Sequence, residues 1–290
     1  MSNQSAVTGA RLAAKTTIGD WMRQHGDLDR LDCELLLCET LTLTRAQVIS
    51  RPERLLDGNT LSQLASWAAR LRNNEPLAYL TGVKEFWGLT FAVTPEVLIP
   101  RPETELLVEQ ALTLARELAG QPRILDLGTG SGVIAIALAH SFTHSSRTTG
   151  PVPEVYGSDR STAVLGVARG NADKHDVSVH WLVSDWFRDI PQLFDLIVSN
   201  PPYIATNDPH LAALRHEPAK ALRAGTDGLD ALCIIVREAY QHLISGGWLL
   251  VEHGYNQESA VQNLFVEQGY EHISTERDLG GRPRVTRGQR

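Results

Sequence analysis

Apolar residues recur at helical spacing from about Ile18 to Leu80, first as Leu31, Leu35, Leu36 and Cys38 and later as Leu61, Leu64, Ala65, Ala68 and Leu71. That period predicts a small bundle of helices, with Asp27 placed to cap the earlier one and Asn59-Thr60 the later. From Lys84 to Val93 large apolar residues alternate around Gly88, the pattern of a β-hairpin. Leu98-Ile99-Pro100-Arg101-Pro102-Glu103-Thr104-Glu105 then reads as a proline-stiffened connection into a helix. Beyond it the period switches repeatedly: helix near Glu103 to Leu118, strand Arg123 to Leu127, helix from Gly132, strand Glu154 to Ser158, helix from Ser161 and strand Val177 to Val183. Strand Asp195 to Ser199, helix Leu229 to Leu243, strand Trp248 to Glu252 and helix Gln257 to Glu267 complete the series. Such alternation implies an α/β fold built on a doubly wound parallel sheet with right-handed crossovers. Tyr270 to Ser274 and Arg284 to Thr286 are expected to add edge strands, with Arg277, Arg282, Arg284, Arg287 and Arg290 on a solvated edge.

A chain of 290 residues has room for two domains, each with its own core. The expected division is a helical domain over 1–82, a hairpin and linker over 83–102, and an α/β domain over 103–290. Residues 1–17, rich in Ser, Ala and Thr, read as a flexible tail, with a mitochondrial presequence as the alternative. Hydrophobic content of 42% and charged content of 21% give no case for disorder. A net charge of −7, from 27 Lys and Arg against 34 Asp and Glu, argues against bulk nucleic acid as the main partner. Cys33, Cys38 and Cys233 are too few and scattered for a disulfide framework and read as buried free thiols. The ten histidines lack ligand spacing, so no metal site is expected. With no apolar stretch near the ~20 residues of a membrane span and no secretory h-region, the expected location is the cytoplasm, the mitochondrial matrix being the alternative.

The candidate chemistry begins where the apolar run Phe194-Asp195-Leu196-Ile197-Val198-Ser199 is closed by Asn200-Pro201-Pro202-Tyr203, as in a buried parallel strand that ends abruptly. A residue before proline is pushed toward extended geometry, and two prolines fix φ and remove two backbone donors. Asn200 is thereby held stiffly at the strand's carboxyl end. Its side-chain oxygen and the Pro201 carbonyl make two neighbouring acceptors and Tyr203 an aromatic face, a set that suits a planar NH2 group. Taken alone, the segment reads more readily as a proline-rich turn, a preference that the rest of the chain reverses.

Upstream, Ile124-Leu125-Asp126-Leu127-Gly128-Thr129-Gly130-Ser131-Gly132 runs from a strand straight into a helix. Glycines here allow a tight turn and let a ligand approach the backbone. Nicotinamide and flavin enzymes use the spacing G-x-G-x-x-G, whereas Gly128-x-Gly130-x-Gly132 after Asp126 resembles the S-adenosylmethionine site of class I methyltransferases. Asp159 ends the next strand, where an acid accepts from both ribose hydroxyls or caps the helix at Ser161-Thr162. Ser184-Asp185-Trp186-Phe187 closes the third strand. There Asp185 could reach an adenine amino group and Trp186 its ring, the alternative being an ordinary core tryptophan.

The tetrapeptide resembles the (Asp/Asn/Ser)-Pro-Pro-(Tyr/Phe/Trp) signature of methyltransferases that act on amide or exocyclic amino nitrogens. With Glu75-Pro76-Leu77-Ala78-Tyr79-Leu80-Thr81-Gly82, Phe86-Trp87, Leu98-Ile99-Pro100-Arg101-Pro102, Glu217-Pro218, Gly225-Thr226-Asp227-Gly228-Leu229 and Glu252-His253-Gly254, the likeness spans the chain from about Asp20. It resembles the PrmC/HemK family of release factor glutamine N5-methyltransferases. This implies a Rossmann-like class I fold and S-adenosyl-L-methionine as cofactor, bordered by Gly128, Thr129, Gly130, Ser131, Gly132, Asp159, Trp186 and Asn200. The implied substrate is the glutamine of the Gly-Gly-Gln loop in class 1 peptide chain release factors, methylated on its amide nitrogen and held by Asn200, Pro201, Pro202 and Tyr203. Asn200 and Pro201 would be catalytic, and the helical domain would recognise the release factor. Two features depart from the family pattern: a long connection over 141–153, and His216 where an aromatic ring is expected. The runner-up is an amino-group methyltransferase acting on adenine or cytosine in DNA or RNA; the acidic balance and the lack of a basic, aromatic-interleaved stretch speak against it. A protein-binding module that retains a cofactor fold without turnover is the third reading.

Overall fold

The computed structural model describes residues 15–144 and 151–290. Most of the expected tail over 1–17 and the middle of the 141–153 connection lie outside the described residues. The chain divides between Thr81 and Gly82 into two compact units.

The first unit comprises α1 (Ile18–Gln24), α2 (Arg30–Leu41), α3 (Arg45–Ser50), α4 (Gly58–Arg72) and α5 (Leu77–Thr81), packed around Trp21, Leu36, Leu37, Val48, Leu64 and Ala68. The buried face of α2 differs from the one expected. Leu31 and Leu35 are 45% and 37% exposed, while Cys33, Glu34, Leu36 and Leu37 are buried. An acid can occupy that face because Arg30 and Arg45 bracket Glu34 at 2.9 and 2.6 Å, and these guanidinium groups hold its pKa below the usual carboxylate range. On α4, likewise, Ala65 is exposed. The caps also differ: the Asp29 carboxylate accepts from Leu31 N and Asp32 N, and that of Asp57 from Thr60 N. Asp27 instead pairs with Arg72 at 2.7 Å. Of the three thiols only Cys33 is buried, Cys38 and Cys233 being partly exposed.

The second unit opens with β1 (Val83–Phe86) and β2 (Leu89–Ala92), an antiparallel pair with Phe86 opposite Leu89. The two-residue turn has φ of 56° at Trp87 and 69° at Gly88, the left-handed pair that matches strand twist in tight hairpins. There follow α6 (Thr104–Glu117), β3 (Arg123–Leu127), α7 (Val133–Thr143), β4 (Glu154–Asp159), α8 (Thr162–Lys174), β5 (His180–Val183) and β6 (Phe194–Ser199). Then come α9 (Asp230–His242), β7 (Leu243–Glu252), α10 (Glu258–Gln268), β8 (Glu271–Arg277) and β9 (Pro283–Gln289). The strands form one sheet in the order β5-β4-β3-β6-β7-β9-β8. β5 to β7 are parallel, and β9 runs antiparallel to both β7 and β8.

Successive strand residues point to opposite faces, and here both faces are covered. Ile124, Leu196, Val198 and Leu250 join α6 and α7 in one apolar layer, while Leu125, Ile197, Leu249 and Val251 join α9 and α10 in the other. Burial on both sides explains why these strands read as unbroken apolar runs. Three expectations need correcting. β5 begins only at His180, because Val177 and Val179 pack against Ala135, Ala139 and Val155 before the strand starts. β9 is interior, between β7 and β8, so only β8 is an edge. Arg284 is consequently buried, with Asp278 at 3.0 Å and Glu103 at 3.7 Å, and is no solvated edge residue. Among the described residues no helix is long and apolar enough to cross a membrane.

Candidate active site

The chain order explains where a site must form. From β3 the path steps outward through β4 to β5, then returns to place β6 on the other side of β3. Such a reversal leaves a crevice at the strands' carboxyl ends, the usual ligand position in open α/β sheets. A cavity of about 1230 Å³ lies there, lined by Gly128, Gly130, Asp159, Asp185, Trp186 and Asn200 to Pro202, and walled further out by Val97, Leu98, Lys220 and Arg223. Single small-molecule sites enclose about 300–1000 Å³, so this one has room for two reactants.

In the glycine loop, Gly128, Gly130 and Gly132 have φ of 74°, 56° and 84°, a region a side chain rarely tolerates. Only Gly128 and Gly130 line the cavity. Thr129 and Ser131 are buried, the Thr129 hydroxyl donating to Asp126 Oδ2 at 2.5 Å. A Cβ at Gly132 would come within 2.9 Å of Ile136, 3.1 Å of Ala168 and 3.2 Å of Trp181, so this glycine serves close packing of α7. The loop is pinned to β4 by Gly128 N and Thr129 N, which donate to Ser158 O at 2.9 and 2.8 Å. Beneath it Asp126 is fully buried, accepts from Ala135 N through Oδ2, and keeps Oδ1 without a hydrogen-bond partner. Burial pushes its carboxyl up to about 7.

Asp159 ends β4, accepting from Gly130 N at 3.3 Å and Ser161 N at 2.9 Å. The cap of α8 is the Ser161 hydroxyl, which accepts from Val164 N, so Asp159 is left to the cavity. Burial raises its pKa. Trp186 has φ of 51°, and its ring lies 3.7 Å from where a Gly128 Cβ would sit.

At the end of β6, Asn200 Nδ2 donates to Thr104 Oγ1 at 2.9 Å, which leaves Oδ1 as the acceptor at the cavity wall. Tyr203 stands apart from the cavity lining: its hydroxyl donates to Glu252 Oε1 at 3.1 Å and its pKa is raised by burial. The loop beyond is fastened by Glu217, which accepts from Arg101 Nη2 at 2.5 Å and from Ile99 N at 3.2 Å.

Sequence reasoning gave Thr104, Glu217, Glu252 and Arg284 no place at the site, although Glu217 and Glu252 lay in motifs of the family resemblance and Arg284 was expected on a solvated edge. A further signal for Glu252 was its position as a lone acid closing the apolar run Trp248-Leu249-Leu250-Val251. Thr104 had none, since its partners come from strands distant in sequence.

Two family profiles match the chain, the PrmC N-terminal domain over residues 22–82 and a methyltransferase domain over 120–279. A release factor glutamine methyltransferase of Coxiella burnetii is 43% identical over 88% of this chain and 90% of its own length. One from Vibrio cholerae is 41% identical over 98% and 97%. Among solved structures, a methyltransferase from Pyrococcus furiosus covers 78% of this chain and 98% of its own, with a TM-score of 0.52 at 17% identity, a likeness of fold.

Proposed function

Since the chain belongs to the release factor glutamine methyltransferase family, we propose that it transfers a methyl group from S-adenosylmethionine to the side-chain amide nitrogen of the glutamine in the Gly-Gly-Gln loop of class 1 peptide chain release factors. The observation that carries this reading is the Asn200 carboxamide, held by Thr104 on the wall of a cavity that Gly128, Gly130, Asp159 and Trp186 also line. Those four residues fit the cofactor: bare glycine backbone, a carboxylate at a strand end for ribose hydroxyls, and the Trp186 ring for a planar base. When bound, the cofactor supplies a methyl carbon made electrophilic by its sulfonium.

An amide nitrogen is a poor nucleophile because its lone pair is delocalised into the carbonyl. Asn200 Oδ1 and the Pro201 carbonyl accept hydrogen bonds only, so they welcome the N–H edge of a glutamine amide and repel its oxygen. Accepting both hydrogens aims the nitrogen into the cavity and favours the positive charge that develops on it. Among the described residues no general base stands beside them, and none is required for a large effect. A base typically gives ~10²–10⁴-fold, whereas fixing two reactants in line supplies about 7–11 kcal/mol.

The test is incubation with a release factor and isotopically labelled cofactor, followed by mass spectrometry of the Gly-Gly-Gln peptide, with nucleic acid assayed in parallel. One labelled methyl on the glutamine is the expected result. Label in nucleic acid and none in the peptide would overturn the reading.

A further inference from the structure

Behind Asn200 lies a polar cluster of Thr104, Tyr203 and Glu252, none of which lines the cavity. Thr104, the first residue of α6, is 2% exposed and accepts from Asn200 Nδ2. Glu252, fully buried at the end of β7, has the Thr104 hydroxyl beside its carboxyl. Its Oε1 accepts the Tyr203 hydroxyl, while Oε2 has no hydrogen-bond partner. An unsatisfied buried acceptor is destabilising, and packed apolar residues serve stability as well or better than buried charge. Stability therefore gives no reason for an acid here.

We infer that Thr104 and Glu252 are positioning residues that fix which end of the Asn200 carboxamide faces the substrate, an inference that rests on the substrate-binding role of Asn200 given above. The two ends of a carboxamide are nearly identical in shape, and half a turn about its last bond exchanges them. With Nδ2 outward, Asn200 would present hydrogens to the hydrogens of the incoming amide. Thr104 alone does not prevent this, because a hydroxyl both donates and accepts. An ionised carboxylate only accepts. The unpartnered Oε2 of Glu252 is an acceptor on offer to the Thr104 proton, which would leave the hydroxyl lone pair for Asn200 Nδ2, while Tyr203 donates to Oε1.

The order depends on the ionisation of Glu252. Burial pushes its carboxyl up to about 7, against the pull of the Thr104 and Tyr203 hydroxyls and of Arg284 from β9, while Glu103 ahead of α6 pushes it further up. Protonated, Glu252 can itself donate to Thr104, whose proton is then free to meet Asn200 Oδ1.

Single-turnover methylation of a release factor tests this with Thr104→Val, Thr104→Ser, Glu252→Gln and Asn200→Ala, cofactor affinity being measured alongside by calorimetry. Thr104→Val is expected to slow transfer by roughly 10–10²-fold, the scale of a slightly misplaced reactant, with cofactor affinity unchanged and the serine variant restoring most of the rate. The wild-type rate at saturating cofactor should fall as pH drops through about 7, and Glu252→Gln should weaken that dependence, Asp126 beneath the glycine loop being left to titrate in the same range. If Thr104→Val does not fold, the pH profile of Glu252→Gln decides. A Thr104→Val rate equal to wild type, a serine variant no better than valine, or an unchanged profile in Glu252→Gln would each overturn the inference. Transfer lost in Asn200→Ala but intact in Thr104→Val removes this inference alone. Transfer intact in Asn200→Ala removes the substrate role of Asn200 as well.

Discussion

A Cβ added to Gly157 would come within 2.4 Å of the Trp181 ring and 3.1 Å of Thr129 Oγ1. A tryptophan ring cannot flex away as a lysine tip can, so Gly157→Ala should lower stability by about 1–3 kcal/mol, the usual cost of overpacking. Thermal melting checks this, and a parallel loss of cofactor affinity is expected because Thr129 sits in the glycine loop. Asp159→Ala should weaken cofactor binding while leaving the rate at saturating cofactor little changed. Isothermal titration together with single-turnover kinetics separates the two effects. At this scale the sequence revealed residues that follow one another along the chain: Asp126 and the glycines, Asp159 at a strand end, and Asn200 before two prolines. Thr104 was hidden because its partner Asn200 follows a strand distant in sequence and leaves no spacing to detect, whereas Glu252 stood out only as an acid closing an apolar run. Gly132, read as a cofactor glycine, packs against Ile136, Ala168 and Trp181 and is not part of the cavity lining.

Among the elements, the segment after β6 illustrates how a stretch with little regular structure is kept in place. Residues 200–225 carry two short 3-10 helices, Pro209–Ala212 and Ala219–Ala221, and are tied back by the Ile204–Arg223 bridge and by Glu217 on Arg101 and Ile99 N. Glu217→Ala should loosen that segment, and hydrogen exchange should report faster exchange over 204–225 than in β6 or β7. The strands and helices that flank it were legible because apolar period and length agree. What misled was an acid on a buried face, Glu34, and a late strand, β9, which inserts between β7 and β8. An apolar-only reading places the α2 face wrongly, and chain order alone places β9 at the edge. Neither error follows from weak propensity; both come from partners brought together by folding.

For the molecule as a whole, two fully buried carboxyls make stability fall with rising pH near neutrality, while His253, its pKa lowered by burial, acts in the opposite sense. Asp126 and Glu252 are pushed up to about 7 from ordinary values of 3.8 and 4.5. Between those limits the folded chain holds protons that the unfolded chain has released, so stability is greatest at the acid end of the interval and falls as pH rises through 7. Melting of the ligand-free protein should accordingly drop between about pH 5 and pH 8, and Glu252→Gln should reduce the drop. The α/β class was legible because both faces of the sheet are covered, which turns each strand into a continuous apolar run.

Asn171 lies far from this acid pair in the chain and is wholly buried. Its Nδ2 donates to Ala92 O at 3.0 Å and Ser131 O at 2.9 Å, and its Oδ1 accepts from Ala92 N at 2.7 Å. Aspartate supplies no donor for those two carbonyls and leucine supplies nothing at all. A randomised library selected for activity would therefore be intolerant at position 171, as though it were a contact residue, and mutational scanning by itself would place the reactive centre too widely, under the hairpin as well as in the crevice.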